Sequence, residues 1–335
     1  MVPAIAVADA LRAEGAEVVF VGGERAEAEL VPAAGYPLER LRVEGISRTN
    51  PLKAGRAVLK AGAALLAARE ILARHRPAAV LGGGGYVAGP VGLVAVARGV
   101  PLVLTEADSH LGLTNRLLAP RARRVCLAFP LAGRDDERYV VTGRPVPPRG
   151  TGRDEARAYF GFGAGEQVVL VFGGSLGARS LNSAAPAAFA DATYRVLHVA
   201  GRRDAGELRS PGSHYVLRDY VEPFGLALAS ADLAVARAGG SIFELAQYGL
   251  PAVLVPYPHA SADHQTANAR WMEQVGAAVV VADGDLTPER LRQQVDSLLG
   301  DPGRLASMAA ASAAAARPDA AARVAREILA AAGAV

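Results

Sequence analysis

Cysteine is nearly absent from this chain of 335 residues: Cys126 is its only thiol. A disulfide framework and a cysteine-based zinc site both need several thiols at fixed spacings, so both are excluded and a reducing, cytoplasmic compartment is expected. No apolar run approaches the roughly 18 to 20 residues of a membrane-spanning helix, and no charged segment leads into a short apolar stretch with a cleavage site. The expectation is a chain that neither spans a membrane nor is exported. Charge of one sign hardly prevails, since 36 Lys plus Arg against 33 Asp plus Glu leave a net +3. That is too little to drive nucleic-acid binding by phosphate neutralisation, so no nucleic-acid partner is expected. Neither G-x-G-x-x-G nor G-x-x-x-x-G-K-[ST] occurs, which argues against NAD-dependent oxidation and ATP hydrolysis. Aromatic residues make up only 5%, and Lys53 and Lys60 are the only lysines.

What remains is an Ala/Val/Leu-rich chain, 51% hydrophobic, long enough at ~150 residues per domain for two buried cores. A repeated pattern supports that division. Ala79-Val80-Leu81 runs into Gly82-Gly83-Gly84-Gly85, an apolar helical stretch to Arg98, Gly99-Val100-Pro101 and Leu102-Val103-Leu104; Leu233-Ala234-Val235 runs into Gly239-Gly240, a helix to Tyr248, Gly249-Leu250-Pro251 and Ala252 to Val255. The two Gly-x-Pro units lie 150 residues apart, as in two similarly built α/β domains. The apolar runs Val18 to Val21, Val168 to Phe172 and Val196 to Val199 suit parallel strands buried on both faces. The fold class expected is therefore α/β, with two Rossmann-like domains. The turn-rich Gly143 to Gly150 segment marks a boundary, which divides the chain into 1–145, 153–315 and a terminal helix over 316–335 that could pack back on the first domain. Helices are expected over Asp154 to Tyr159 and over the alanine-rich tail from Leu305 to Ala332, broken at Arg317-Pro318. The start is unusual, because Pro3 to Leu11 already reads as the first helix of a doubly wound domain. The strand and glycine loop that normally precede such a helix are expected to be missing.

Four constellations can carry chemistry. Gly173-Gly174-Ser175-Leu176-Gly177-Ala178-Arg179 follows a strand and precedes a helix, where backbone N–H groups receive phosphates, although any tight turn also uses glycine. Arg237-Ala238-Gly239-Gly240-Ser241-Ile242-Phe243-Glu244 offers a pyrophosphate seat at Gly240 and Ser241 with Glu244 on a ribose, or else a plain capping box between Ser241 and Glu244. After the strand at Ala252 to Val255, the polar stretch from Tyr257 to Asn268 lies at a carboxyl strand end, where α/β sheets bind ligands, and Asp263 could equally be a helix cap. His259 and His264 are not spaced as zinc ligands, and no metal site is expected. Finally, Glu106, Asp108 and His110 gather two carboxylates and an imidazole that could supply a general base, or form a capped turn.

Taken together with Pro3 to Ala8, Gly84-Gly85-Tyr86-Val87-Ala88-Gly89-Pro90 and Gly112-Leu113-Thr114-Asn115, these segments resemble the MurG family of peptidoglycan glycosyltransferases over essentially the whole chain. The resemblance implies a GT-B fold, two Rossmann-like domains facing a central cleft, and transfer of N-acetylglucosamine from UDP-GlcNAc to the lipid-linked acceptor lipid I. It further implies an inverting displacement that requires neither cofactor nor metal, by a peripheral enzyme at the cytoplasmic face of the membrane. By motif, Ser175, Gly239, Gly240 and Ser241 would contact the pyrophosphate, Glu244 the ribose, Gln265 and Asn268 the sugar, and Val221 the uracil with Phe224 nearby. Gly84, Gly85, Tyr86 and Asn115 would lie on the acceptor side, and Asp108 is also a donor candidate. Lys53, Arg56 and Lys60, mixed with apolar residues at helical spacing, would meet an anionic membrane, or else form an ordinary solvated helix face.

Departures from the family pattern accompany the likeness. The family opens with a strand and a Gly-Gly-Thr-Gly-Gly-His loop whose histidine is the expected catalytic residue, placed upstream of Met1 here, which leaves Glu106, Asp108 and His110 as base candidates. Where the family has a basic residue after Pro-Val this chain has Pro147, with Arg144 or Arg149 as substitutes, and the loop from Arg237 to Glu244 is one residue short. Two alternatives stay open: another UDP-sugar enzyme of the same fold, either a lipid glycosyltransferase or an epimerase, and a catalytically impaired nucleotide-sugar binder.

Overall fold

The computed structural model describes residues 1–41, 51–174 and 177–333, with side chains at 51–61, 205 and 261 left undescribed. It divides into two compact units, Met1–Pro147 with Arg317–Val335, and Pro148–Ala316.

The first unit runs α1 (Val2–Ala13), β1 (Phe20–Gly22), α2 (Glu27–Ala33), β2 (Leu38–Arg40), α3 (Pro51–His75), β3 (Val80–Gly82), α4 (Gly85–Ala97), β4 (Leu102–Glu106), α5 (Leu113–Leu118), β5 (Arg124–Leu127) and β6 (Tyr139–Val141). Its strands are all parallel but form two sheets, β1-β2 and β3-β4-β5-β6. The expected strand at Val18 to Val21 is displaced: only Phe20–Gly22 finds a partner, through the register Phe20 to Leu38, while Val18 packs instead into the apolar clusters beside it.

The second unit runs α6 (Arg153–Phe160), β7 (Val168–Phe172), α7 (Arg179–Ala188), β8 (Arg195–Val199), β9 (Tyr215–Arg218), α8 (Gly225–Ser230), β10 (Leu233–Ala236), α9 (Ile242–Tyr248), β11 (Ala252–Leu254), α10 (His264–Gln274), β12 (Ala278–Val280), α11 (Pro288–Leu299) and α12 (Pro302–Ala315). Its six parallel strands form one sheet in the order β12-β11-β10-β7-β8-β9. All five residues of β7 and all four of β10 are buried, which explains their unbroken apolar sequence: strands covered by helices on both faces do not alternate. One such face packs Val169, Val171, Val196 and Val253 against Leu181 of α7 and Leu291, Val295 and Leu298 of α11. Two of its helices, α11 and α12, start on a side-chain cap. Thr287 Oγ1 accepts the Arg290 N–H at 3.1 Å and Asp301 Oδ1 that of Arg304 at 2.9 Å, each with proline at the first helical position.

The Gly-x-Pro repeat has one structural meaning in both units. Gly99 and Gly249, at φ +70 and +62, occupy the left-handed conformation that closes the helix before them. The proline two residues on then presents its carbonyl to the neighbouring strand, Pro101 to Val80 N–H at 2.8 Å and Pro251 to Ala234 N–H at 2.9 Å. After the second unit the chain returns to the first as α13 (Ala320–Ala332), whose Val324, Ala325 and Ile328 share a core with Val7, Leu11, Val103 and Cys126.

Candidate functional site

In the second unit the chain lays down β7, β8 and β9 outward in one direction, then returns so that β10 lies on the other side of β7. The loops after β7 and β10 therefore diverge, and such a switch point at the carboxyl strand ends is where open α/β sheets bind ligands. The glycine loop after β7 is tightly seated. A Cβ on Gly177, whose φ is +83, would collide with the Ala200 carbonyl oxygen, so side chains are barred there by both conformation and space. Ser175 lies outside the described residues.

Behind that loop stands a buried polar chain. Asn182 Nδ2 donates to the Ala200 carbonyl at 2.9 Å and to Asp204 Oδ2 at 3.1 Å, which leaves Asn182 Oδ1 to accept from His198 Nε2 at 3.0 Å. His198 Nδ1 must then be the acceptor for the Tyr215 hydroxyl, 2.7 Å away. Burial pushes the His198 pKa down to about 4, so the imidazole is neutral at pH 7.

The loop after β10 places Gly239, Gly240, Ser241 and Glu244 together, all half-buried. Ser241 makes no capping hydrogen bond with its side chain, so the capping box, the alternative reading of Ser241 and Glu244, does not form: Ser241 already has helical φ and ψ of −64 and −14. Gln265 and Asn268 come up against the same loop from α10. Gln265 Oε1 accepts the Tyr257 N–H at 3.0 Å while its amide nitrogen faces Gly239, and Asn268 Nδ2 donates to the Ala238 carbonyl at 2.9 Å. The Oδ1 of Asn268 is buried without a partner. Asp263 accepts from Thr266 Oγ1 at 2.6 Å and caps no backbone N–H, and both it and Ala262 have positive φ, a strained entry into α10. Val221 is buried just past β9, and Phe224 packs edge-on against Phe172 at 5.0 Å. Arg149 does not reach this edge. Its Nε donates to the Gln247 carbonyl and its guanidinium lies 5.2 Å from the Tyr248 ring, at the far end of α9 from Gly239.

In the first unit the loop after β4 is organised by one carboxylate. Glu106, 8% exposed, accepts the N–H groups of Ala107 (3.0 Å), Asp108 (3.2 Å) and Gly112 (2.8 Å) and the Asn115 amide (2.9 Å). Asn115 also donates to the Thr105 carbonyl at 2.9 Å, and Thr114 Oγ1 donates to the Gly85 carbonyl at 3.1 Å, which joins this loop to Gly84 and Gly85 at the start of α4. Asp108 and His110 ride on the braced loop half-buried, and Tyr86 is exposed. Arg144 lies near the Met1 amine, where burial first and the guanidinium second lower the pKa of that amine. Lys53, Arg56 and Lys60 fall on α3, with their side chains outside the described residues.

Sequence reasoning passed over Ser180, Asn182, His198 and Asp283. Ser180 and Asn182 lie on α7, and only the fold pairs the first with Asp283 and the second with His198. Among the described residues no group of His, Cys, Asp and Glu could hold a metal ion.

The chain matches two family models, the glycosyltransferase family 28 N-terminal domain over residues 1–127 and the family 28 C-terminal domain over 168–324. It is 45% identical to the UDP-N-acetylglucosamine–N-acetylmuramyl-(pentapeptide) pyrophosphoryl-undecaprenol N-acetylglucosamine transferase of Alkalilimnicola ehrlichii, over 97% of this chain and 93% of that one. To the protein of the same name from Moorella thermoacetica it is 41% identical, over 95% and 92%. Among solved structures it is similar to Acinetobacter baumannii MurG, with a TM-score of 0.76 and 29% identity over 97% of this chain and 94% of that chain.

Proposed function

This chain belongs to glycosyltransferase family 28 and, within it, to the MurG group with its GT-B fold; on that premise we propose that it transfers N-acetylglucosamine from UDP-GlcNAc to lipid I, the undecaprenyl-pyrophosphoryl N-acetylmuramyl-pentapeptide, to give lipid II in peptidoglycan synthesis. The observation that carries the site assignment is that the loops after the adjacent strands β7 and β10, which carry Gly177 and the Gly239–Ser241 turn with Glu244, flank the switch point of one parallel sheet, with Gln265 against Gly239. Backbone N–H groups there suit the donor diphosphate, Glu244 the ribose hydroxyls and Gln265 the sugar. In the reaction an acceptor hydroxyl attacks the anomeric carbon, the bond to the UDP oxygen breaks, and configuration inverts. Rate comes from aligning the two substrates and from donors already aimed at the departing diphosphate. The hydroxyl proton is assigned to a base on the loop braced by Glu106, with the half-buried Asp108 and His110 as its candidate titratable groups.

The acceptor is membrane-borne, and the first unit has a surface that suits contact with an anionic bilayer. No helix among the described residues is long and apolar enough to cross a membrane. Leu66 of α3, Leu93 of α4 and Leu113 and Leu117 of α5 are all exposed, on helices that pack side by side, and Arg69 and Arg116 are exposed on the same elements. We place the enzyme peripherally at the cytoplasmic face.

The test is UDP release from UDP-GlcNAc with and without lipid I, alongside calorimetric binding of UDP-GlcNAc to the parent chain and to Glu244→Ala. The expected result is lipid I-dependent release and a loss of donor affinity of at least tenfold in Glu244→Ala. Unchanged donor binding by a folded Glu244→Ala would remove the ribose assignment, and release with no acceptor dependence would remove the transfer reaction.

A further inference from the structure

Four neighbouring strands of the second unit, β12, β11, β10 and β7, end on loops that share one buried cation. Arg237 follows β10 and is 8% exposed. Its Nη1 donates to the carbonyls of Val255 (3.0 Å) and Pro256 (3.1 Å), just past β11, and to Asp283 Oδ1 (2.6 Å), just past β12. Its Nη2 donates to Ser180 Oγ (2.7 Å) in the first turn of α7, the helix that the glycine loop after β7 leads into. Ser180 Oγ in turn donates to Asp283 Oδ1 at 2.6 Å, which closes a ring of three side chains.

A guanidinium out of water is tolerated only when paired and hydrogen-bonded, and Arg237 has both a carboxylate and three neutral acceptors. Its charge is therefore met within the protein, by Asp283. The planar guanidinium also suits acceptors that diverge from different loops, which a lysine ammonium, a compact point charge, does not reproduce. We propose that Arg237 is a positioning residue: through Asp283 and Ser180 it fixes the relative placement of the loops after β7, β10, β11 and β12, and so presents the Gly239–Ser241 turn and the Tyr257 to Gln265 segment at the spacing that a nucleoside diphosphate-sugar requires. The inference rests on the donor site being where the proposed function puts it, and it assigns Arg237 no contact with the donor.

Arg237→Lys, Asp283→Asn and Ser180→Ala in the full chain test this by two readouts. For Arg237→Lys the expected result is a KM for UDP-GlcNAc raised at least tenfold, with the KM for lipid I and kcat within threefold of the parent. Amide hydrogen exchange at 239–243 and at Val255 and Tyr257 should speed up at least tenfold while the amides of β7 and β10 keep their protection. Asp283→Asn should follow in the same direction. Ser180→Ala keeps the ion pair, so it should raise the donor KM about threefold, and it carries the test if Arg237→Lys does not fold. A donor KM and loop exchange within twofold of the parent in the folded variants would overturn the proposal. So would a hundredfold loss of kcat at unchanged donor KM, which would mark Arg237 as a direct contact to the reacting diphosphate. If the parent chain binds no UDP-sugar, the proposed function fails, and the exchange rates still decide whether Arg237 holds the loops.

Discussion

The two units use the same strand-helix pattern to different depths. In the second, six parallel strands form one uninterrupted sheet and the loops at its carboxyl edge are tied together from behind, by Arg237 on one side of the switch point and by the Asn182–His198–Tyr215 chain on the other. In the first, the strands divide into a pair and a quartet, and β1, β2, β3 and β6 are only three residues long with most positions partly exposed. Its loop after β4 is held locally, by Glu106 and Asn115. A diphosphate needs several backbone donors fixed at once, and a continuous sheet with cross-braced loops supplies that preorganisation. The first unit instead completes its core with a helix from the far end of the sequence.

Deleting 317–335 breaks that comparison most severely. It strips Val324, Ala325 and Ile328 from the core around Val7 and Leu11, a loss of at least about 5 kcal/mol, comparable with the net stability of a domain. The expected outcome is loss of the first unit's unfolding transition in calorimetry while UDP-GlcNAc binding by the second persists; loss of both together would mean that the units do not stand apart energetically. Gly177→Ala acts on the other unit. Left-handed backbone and collision with the Ala200 carbonyl together should cost about 3 to 4 kcal/mol, read as a lower urea midpoint for the second unit only. The smallest effect is of pH. His198 titrates near 6.5 when unfolded and about 4 when folded, so between those values the unfolded chain binds more protons and stability rises with pH. The contribution is complete above about pH 6.5 and is lost as pH falls toward 4, on the order of 3 kcal/mol in all. Acid should therefore lower the second unit's melting temperature in the parent and less steeply in His198→Gln; equal slopes would remove His198 as the cause.

Legibility in the sequence follows the same division. The strand at Val168 to Phe172 is readable because a strand buried on both faces has no polar residue to confuse its limits. The Gly-x-Pro units are readable because only glycine ends those helices at no steric cost. The strand near Val18 is misplaced because a three-residue strand takes its limits from its partner, which apolarity alone does not disclose. At the candidate site, the glycine turns are visible as motifs, while the bracing behind them is not. Arg237 meets Val255, Asp283 and Ser180 at separations of 18, 46 and 57 residues, and no local pattern encodes such a meeting. The apparent capping box at Ser241 shows the converse, a local pattern that the surrounding packing did not use.

The return of α13 to the first unit also sets an order of assembly. Domains generally fold as units in the order they are synthesised, yet here the segment that covers α1 is translated after the whole of Pro148–Ala316. The second unit can close on the ribosome while Val7 and Leu11 still wait for their partners, so the newborn first unit carries an uncovered apolar seam throughout the translation of Pro148–Ala316. The half of the chain that is made first is the half that matures last.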